Sequence, residues 1–486
     1  MAALTACTFL LFLTWSAAAH AQTFTATSST LTVGGGPDAL AISPDLTGNG
    51  KNDLVTANTG DTSVTMLLQG TNGAFSSKTL APTGVTPDAI ATGDINGDGV
   101  PDIVVANSSD NTVTLFLSSG HKYTQTVIAV GTYPSSVAIG DLTGNGLNDV
   151  AVTNAGDNTV TLLMNNGDGT FSPTTIDTGD NPRSVAIGDL TGDGSQDLAI
   201  ANGGDNTVTV LLNNGNGTTF TPETIPVGNF PNSVAIGDLN GDGLNDIAVT
   251  NGADDTVTLL INQGGATSFT PTTMATGNDP VSVALGSLDN GGTDDIAVAN
   301  RTDNTVTVFL ANDSSGDSYT SSTFPTDAAP ESVAIGDLNG DGRPDIAVAD
   351  AFSTDPTGVG SLVTLLTNTT APIARTTSTS LNCAQTTLED GESTTCTATV
   401  TDTASGDGST PQGIVTFTGN KHDSFVPNPC TLSGSGLSAS CQVTFTPGGA
   451  PGTDNITAHY KAPSKNADHA ASKGTLAITV TSGGTE

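Results

Sequence analysis

A nine-residue phrase, Asp-x-[Asn/Thr]-Gly-[Asp/Asn]-Gly-x-x-Asp, recurs along this chain at intervals of 47 to 50 residues. Its seven copies start at Asp45, Asp94, Asp141, Asp189, Asp238, Ser287 and Asp337, the sixth being degenerate. A repeat of that length is one supersecondary unit, which buries its apolar face only by stacking on its neighbours. Around each phrase lie four short runs rich in Val, Ile, Leu and Thr, separated by Gly, Asn and Asp. In the fifth unit these are Pro231-Asn-Ser-Val-Ala-Ile-Gly237, Ile247-Ala-Val-Thr250, Thr256-Val-Thr-Leu-Leu-Ile261 and Phe269-Thr-Pro-Thr-Thr273. Such runs are strands, and no segment carries a helical period over helical length. Four strands per unit describe one blade of a β-propeller. The expected fold is all-β: a seven-bladed propeller over residues 22–370, then a β-sandwich over 371–486.

The ends of the array predict how the ring closes. The seventh unit runs through Leu362-Val-Thr-Leu-Leu-Thr367 and then lacks a fourth strand. Thr23-Phe-Thr-Ala-Thr27, ahead of the first phrase, matches fourth strands such as Thr219-Phe-Thr-Pro-Glu223. The N-terminal strand is therefore expected to complete the last blade, leaving no open edge between the chain ends.

Charge and cysteines narrow the setting. Formal net charge is −37, with 11 Lys plus Arg against 48 Asp plus Glu. Nucleic acid and anionic lipid both require a basic surface, so neither is an expected partner. Residues 2–18 are largely apolar and Ala19-His20-Ala21 offers a small-x-small cleavage site, so 1–21 reads as a secretory signal, although no Lys or Arg precedes the apolar core. No later stretch is apolar enough to cross a membrane. Beyond the signal stand Cys383, Cys396, Cys430 and Cys441. Local spacing favours the disulfides Cys383–Cys396 and Cys430–Cys441, each closing a short strand-to-strand loop. A four-cysteine zinc site is the rival, but close Cys-x-x-Cys pairs are missing. A secreted or cell-surface monomer is expected.

The phrase itself reads as a calcium loop. Calcium takes six to eight oxygens, and alternate positions supply them: side chains at one, three, five and nine, and a backbone carbonyl at seven. Glycines at four and six let the chain curl tightly. The candidate ligands are Asp45, Thr47, Asn49, Lys51 and Asp53; Asp94, Asn96, Asp98, Val100 and Asp102; Asp141, Thr143, Asn145, Leu147 and Asp149; Asp189, Thr191, Asp193, Ser195 and Asp197; Asp238, Asn240, Asp242, Leu244 and Asp246; and Asp337, Asn339, Asp341, Arg343 and Asp345. The second, fourth, fifth and seventh copies carry three carboxylates; the first and third carry two and should bind more weakly. The sixth, Ser287 to Asp295, is expected to be empty or to hold an ion through Asp289 and Asp295. The rival reading is a tight turn with incidental acids, which does not explain alternate oxygens kept in register. Up to about six structural ions are expected, with extracellular affinities on the order of 10⁻⁴ to 10⁻³ M.

The loop Asp-x-Asn-Gly-Asp-Gly-x-x-Asp after a strand such as Pro-x-Ser-Val-Ala-Ile-Gly resembles the FG-GAP or VCBS repeats of integrin α subunits and of many secreted bacterial proteins. The resemblance covers roughly residues 23–370. It implies calcium between the first and second strands of each blade and partner contacts on the opposite face. The segment from about 374 resembles bacterial Ig-like repeat domains.

On the opposite face, Tyr133, Arg183, Phe230 and Glu331 depart from the pattern of the Pro-marked connections. Singly, each reads as an ordinary surface residue; together they are the candidate partner site. The ligand class stays open between an extracellular protein, which would make this an adhesion or interaction module, and a glycan, which would make it lectin-like. A polysaccharide-acting enzyme is the least supported reading: the propeller holds one His, His121, and most carboxylate pairs sit in the calcium loops. No catalytic residue is assigned.

Overall fold

The computed structural model describes residues 23–482, except 72, 81–82, 121, 267, 290–292, 313–317, 353–360, 371–376, 404–409, 420–422, 449–450 and 462–470. The signal segment, His121 and the centre of the sixth phrase lie outside the described residues.

Second and third strands of each unit are buried on both faces, which is why they read as continuous apolar runs. In the fifth unit these are Asp246–Asn251 and Thr256–Asn262. First strands such as Pro231–Gly237 are partly buried, and fourth strands such as Phe269–Ala275 alternate between exposed and half-buried positions. The strands assemble into seven four-stranded antiparallel sheets, each in simple order from first to fourth strand. Apolar clusters form between consecutive sheets. Leu190, Ala199, Val208 and Val210 of the fourth pack against Val234, Ile247, Val249 and Leu260 of the fifth. Leu40, Leu54 and Leu67 of the first pack against Ala347, Val363 and Leu365 of the seventh, which closes the ring. The result is a propeller. The glycine ending most first strands permits the close approach of inner strands: a Cβ on Gly140 would lie 2.8 Å from Ile187 Cγ2 of the next sheet.

The clasp is present, with a shift in register. Ala26–Thr32 pairs antiparallel with Leu362–Asn368 and supplies the fourth strand of the last sheet. Ala26 faces Asn368, whereas Phe220 faces the equivalent Asn213, so Phe24 sits two residues ahead of the position that motif matching assigns it. The reason is burial. Phe24 is 2% exposed and packs edge-on against Phe324 of the sixth sheet, with ring centroids 5.2 Å apart.

Residues 377–482 form two further sheets around one apolar core that includes Val400, Val415, Phe417, Phe445, Ile456 and Ile478. One sheet orders Thr377–Cys383, Thr394–Asp402, Ser438–Thr446 and Ser424–Val426, with Ser433–Ser435 also on Ser438–Thr446. The other orders Thr387–Glu389, Lys473–Thr481, Gly452–Lys461, Ile414–Thr418 and Cys430–Thr431. Both expected disulfides form. Cys383 and Cys396 face each other on neighbouring strands, as expected. Cys430–Cys441 instead joins the two sheets, because Cys430 lies on one and Cys441 on the other. That corrects the expectation of a second loop-closing bridge. Among the described residues no helix is long and apolar enough to cross a membrane.

Candidate functional site

Each phrase links the first strand of a sheet to its second. Position two plugs the loop into the core: Leu46, Ile95, Leu142, Leu190, Leu239, Leu288 and Leu338 are each at most 3% exposed. Positions four and six hold glycine with φ between 70° and 87° in the copies that keep the motif, a region costly to a residue with a Cβ.

Side chains at one, three and five turn into the loop. In the second copy Asp94 Oδ1 accepts the N–H of Gly97 at 2.7 Å and Asp94 Oδ2 that of Gly99 at 2.8 Å. Asn96 Oδ1 accepts from Asp98 and Asp98 Oδ1 from Val100, both at 2.9 Å. Copies five and seven repeat this pattern through Asp238, Asn240 and Asp242, and through Asp337, Asn339 and Asp341. In the first and third copies Asp45 and Asp141 accept the N–H groups of positions five and six, Asn49 and Gly50 and Asn145 and Gly146, and Asn49 and Asn145 accept the N–H of Lys51 and Leu147. In the fourth, Asp189 accepts from Gly192 and Gly194, and Asp193 from Ser195. Thr47, Thr143 and Thr191 donate to the position-one carboxylates of their own loops. An all-oxygen donor set with curled backbone fits a hard divalent cation.

Position nine behaves differently. Asp53, Asp102, Asp149, Asp197, Asp246, Asp295 and Asp345 are at most 1% exposed. Asp246 Oδ2 accepts the N–H of Leu239 at 2.9 Å and Oδ1 that of Asn262, at the end of the third strand, at 2.7 Å. Asp53, Asp102, Asp149, Asp197, Asp295 and Asp345 make the same two bonds. The ninth residue is thus a backbone staple as well as a candidate ligand. Burial pushes its carboxyl above the usual range, to about 6 in Asp246 and Asp345, and further up in Asp295, where burial is joined by the Asp289 charge. Among the described residues, no three His, Cys, Asp or Glu side chains form a ready metal cluster.

Sequence reasoning missed an inter-blade clasp. Asn262 Nδ2 donates to Leu190 O of the preceding loop at 2.7 Å and to Asn245 O at 3.0 Å. Asn165, Asn213 and Asn368 do the same. The signal was available as the Asn that ends these third strands. Asn262→Leu should cost about 1–3 kcal/mol in urea unfolding, because two buried carbonyls lose their donor.

On the opposite face, Tyr133 and Phe230 are 52% and 38% exposed. Both hold φ +55°, an uncommon angle for a bulky residue. The Arg183 guanidinium lies 4.4 Å from the Phe230 ring centroid, and its Nη1 donates to Asn232 Oδ1 at 3.3 Å. Glu331 belongs to a separate group: Arg301 pairs with Asp279 at 2.9 Å and with Glu331 at 3.4 Å. Arg301 was not foreseen, since its contacts join the connection ahead of the sixth sheet to the first strand, Ala328–Gly336, of the seventh. Burial pushes Glu331 up to about 7, Arg301 opposing the rise, and pushes Asp88 up to about 6.

The seventh sheet departs from the others on this face. Six units end their second strand in Asn; the seventh has Asp350 at that position, fully buried, with its carboxyl raised by burial to about 7. Asp350 Oδ2 accepts from Thr364 Oγ1 at 2.6 Å, and among the described residues Oδ1 has no hydrogen-bond partner. A buried carboxyl raised from about 4 to about 7 holds its proton more tightly when folded, so this group costs nothing below pH 4. Its cost grows between pH 4 and 7 and stays constant above. Asp350→Asn should therefore stabilise the protein at pH 8 by roughly 2–4 kcal/mol and have little effect at pH 4, read from urea midpoints at the two pH values.

Comparison with known proteins bears on the repeat. An FG-GAP-like repeat model matches residues 45–105, 94–152, 141–200, 189–249, 238–298 and 288–348. No curated protein matches the chain. Among solved structures, BBS1N in complex with ARL6DN, soaked with lead, is similar at 14% identity and TM-score 0.52, over 72% of this chain and 99% of that one. A functionally unknown protein from Desulfotomaculum acetoxidans, at 14% identity and TM-score 0.46, covers 61% of this chain and 92% of its own. A putative 6-phosphogluconolactonase from Bacteroides fragilis, at 16% identity and TM-score 0.46, covers 61% and 86%. At these identities the BBS1N match speaks to the fold alone.

Proposed function

The chain belongs to the FG-GAP-like repeat family, and from that premise we propose that it is an exported, monomeric interaction module whose propeller is braced by calcium and binds through the opposite face. Calcium is supported by side-chain oxygens at one, three and five that turn inward in six loops. A cation there would also offset the burial cost of the ninth carboxylate. In this reading Asp94, Asn96, Asp98, the Val100 carbonyl and Asp102, with their counterparts, hold the ion, which supplies charge neutralisation and no chemistry. Export is supported by the N-terminal apolar segment and two disulfides. We read the two-sheet C-terminal part as an Ig-like domain and assign it the role of a spacer, a reading supported by its two packed antiparallel sheets.

The binding reading rests on one observation: two exposed aromatic rings, Tyr133 and Phe230, on one face, one of them stacked on Arg183. The positive φ they share with Thr86, Asn181, Asp279 and Ala329 belongs to the turn, whereas exposed rings beside an arginine are what binding surfaces are enriched in. An extracellular protein or glycan is the expected ligand, and no turnover is expected. Wild-type protein and the variants Tyr133→Ala and Phe230→Ala should be screened against matrix proteins and glycans. Each variant is expected to lose at least tenfold in affinity for whatever the wild type captures. Unchanged binding by both variants would move the site elsewhere, and hydrolysis or elimination of a captured polysaccharide would replace this reading with an enzymatic one.

A further inference from the structure

The seven phrases contain only two basic residues, Lys51 and Arg343, both at position seven. Both side chains converge on one loop. Arg343 Nη2 lies 3.3 Å from Asp341 Oδ2, while the Arg343 N–H donates to Asp341 Oδ1 at 2.9 Å. Both oxygens of the fifth-position carboxylate are thus engaged by one arginine. Lys51 reaches in from the next blade, with its ammonium against Gly340 in the space a Cβ would need. The neighbouring side chain Asn52 holds the carbonyl of Asp337 at 3.0 Å. In the equivalent place over Gly192 of the fourth loop sits the apolar Leu244. The fifth-position carboxylates of the second and fifth loops meet only neutral donors: Asp98 meets Val100 N–H and Ser118, and Asp242 meets Leu244 N–H and Asn240.

Arg343 also reaches the seam of the ring. Its Nη1 donates to Thr370 O at 3.1 Å. Thr370 Oγ1 accepts the N–H of Thr25 at 2.9 Å, and Thr369 N–H donates to Thr25 O at 2.8 Å, so the same few residues hold the N-terminal strand.

We infer that the seventh loop carries its own cation: Arg343, with Lys51 beside it, takes the charge-balancing place that calcium takes in the other loops and locks that loop to the seam. This rests on the calcium reading above and reverses one ranking within it. By carboxylate count the seventh copy ranks with the strongest; with a guanidinium on Asp341 and an ammonium over Gly340, it binds calcium last. A divalent ion entering there meets two like charges and must displace an ion pair. The clasp blade is then held in low calcium, when the other loops are unloaded.

The test is calorimetric titration of the full chain with calcium chloride, beside thermal unfolding in chelator and in calcium. Arg343→Gln should raise the affinity of one site at least tenfold, adding about one equivalent at low free calcium. It should lower the melting temperature in chelator and recover it in calcium, whereas loss of a merely structural arginine would lower it in both. Lys51→Gln, which leaves the seam contact intact, should shift the same site two- to threefold. Lys473→Gln in the C-terminal part controls for net charge and should change nothing. Isotherms of both loop variants that match the wild type overturn the inference and leave the calcium reading standing. A wild type that takes up no calcium overturns both.

Discussion

Phe24→Ala should destabilise the propeller by about 3–5 kcal/mol, the range for deleting a buried aromatic side chain. Phe24 is 2% exposed and lies against Phe324 of the sixth sheet, one step ahead of the strand that completes the seventh. Its truncation empties a buried volume at the one place where the ring is joined by noncovalent pairing alone. Removing residues 23–32 altogether should do more. The seventh sheet would lose its fourth strand, exposing the edge of Leu362–Asn368 and removing Leu31 from the cluster it shares with the first sheet. Urea unfolding followed by tryptophan-free probes such as far-ultraviolet circular dichroism reads both effects. A Phe24→Ala loss below about 1 kcal/mol would mean that the seam contributes little to ring stability.

Chelation is the second large effect. For a site with Kd on the order of 10⁻⁴ to 10⁻³ M, 10 mM calcium stabilises the folded state by roughly 1.4–2.7 kcal/mol. Several such sites together should move the melting temperature by many degrees between chelator and calcium. The best copies should respond most. Asp242→Asn removes a fifth-position carboxylate from a loop that keeps its backbone turn, so its stability in chelator should stay near that of the wild type while its gain from calcium shrinks. Asp246→Asn should cost stability in both conditions, because Asp246 also anchors the N–H groups of Leu239 and Asn262. That contrast separates the ligand role from the staple role within one loop.

The architecture was legible because repetition multiplies a weak signal. One run such as Ser233-Val-Ala-Ile-Gly237 could pass for several things, but in seven equivalent positions it specifies an inner strand. The missing fourth strand after Leu362–Asn368 likewise pointed to the N-terminal segment. Motif matching then misplaced Phe24 by two residues, because Phe-Thr looks the same whether the ring lies half-exposed on an outer strand or buried between blades. The disulfide partners followed from spacing, but the inter-sheet course of Cys430–Cys441 depended on which sheet each strand joins, which spacing does not encode.

The loops were legible in chemistry and less so in division of labour. Alternate oxygens are visible in sequence. That Asp246 staples two strands requires knowing that the third strand ends beside the loop. The clasp from Asn262 to Leu190 spans two blades, and Arg301 joins Asp279 to Glu331, residues 22 and 30 positions away from it. Such contacts emerge only when the ring is assembled. Asp350 was visible as a departure from six Asn residues, yet its consequence depends on full burial.

Ion binding by the repeated phrase underlies both the calcium bracing of the propeller and the role of Arg343. Native mass spectrometry of the full chain, exchanged from calcium-containing buffer and again after chelation, counts the ions directly. The expected result is several calcium ions per chain, lost on chelation and reduced by one in Asp242→Asn. A chain that carries no calcium at millimolar free ion, with the same mass before and after chelation, would contradict it.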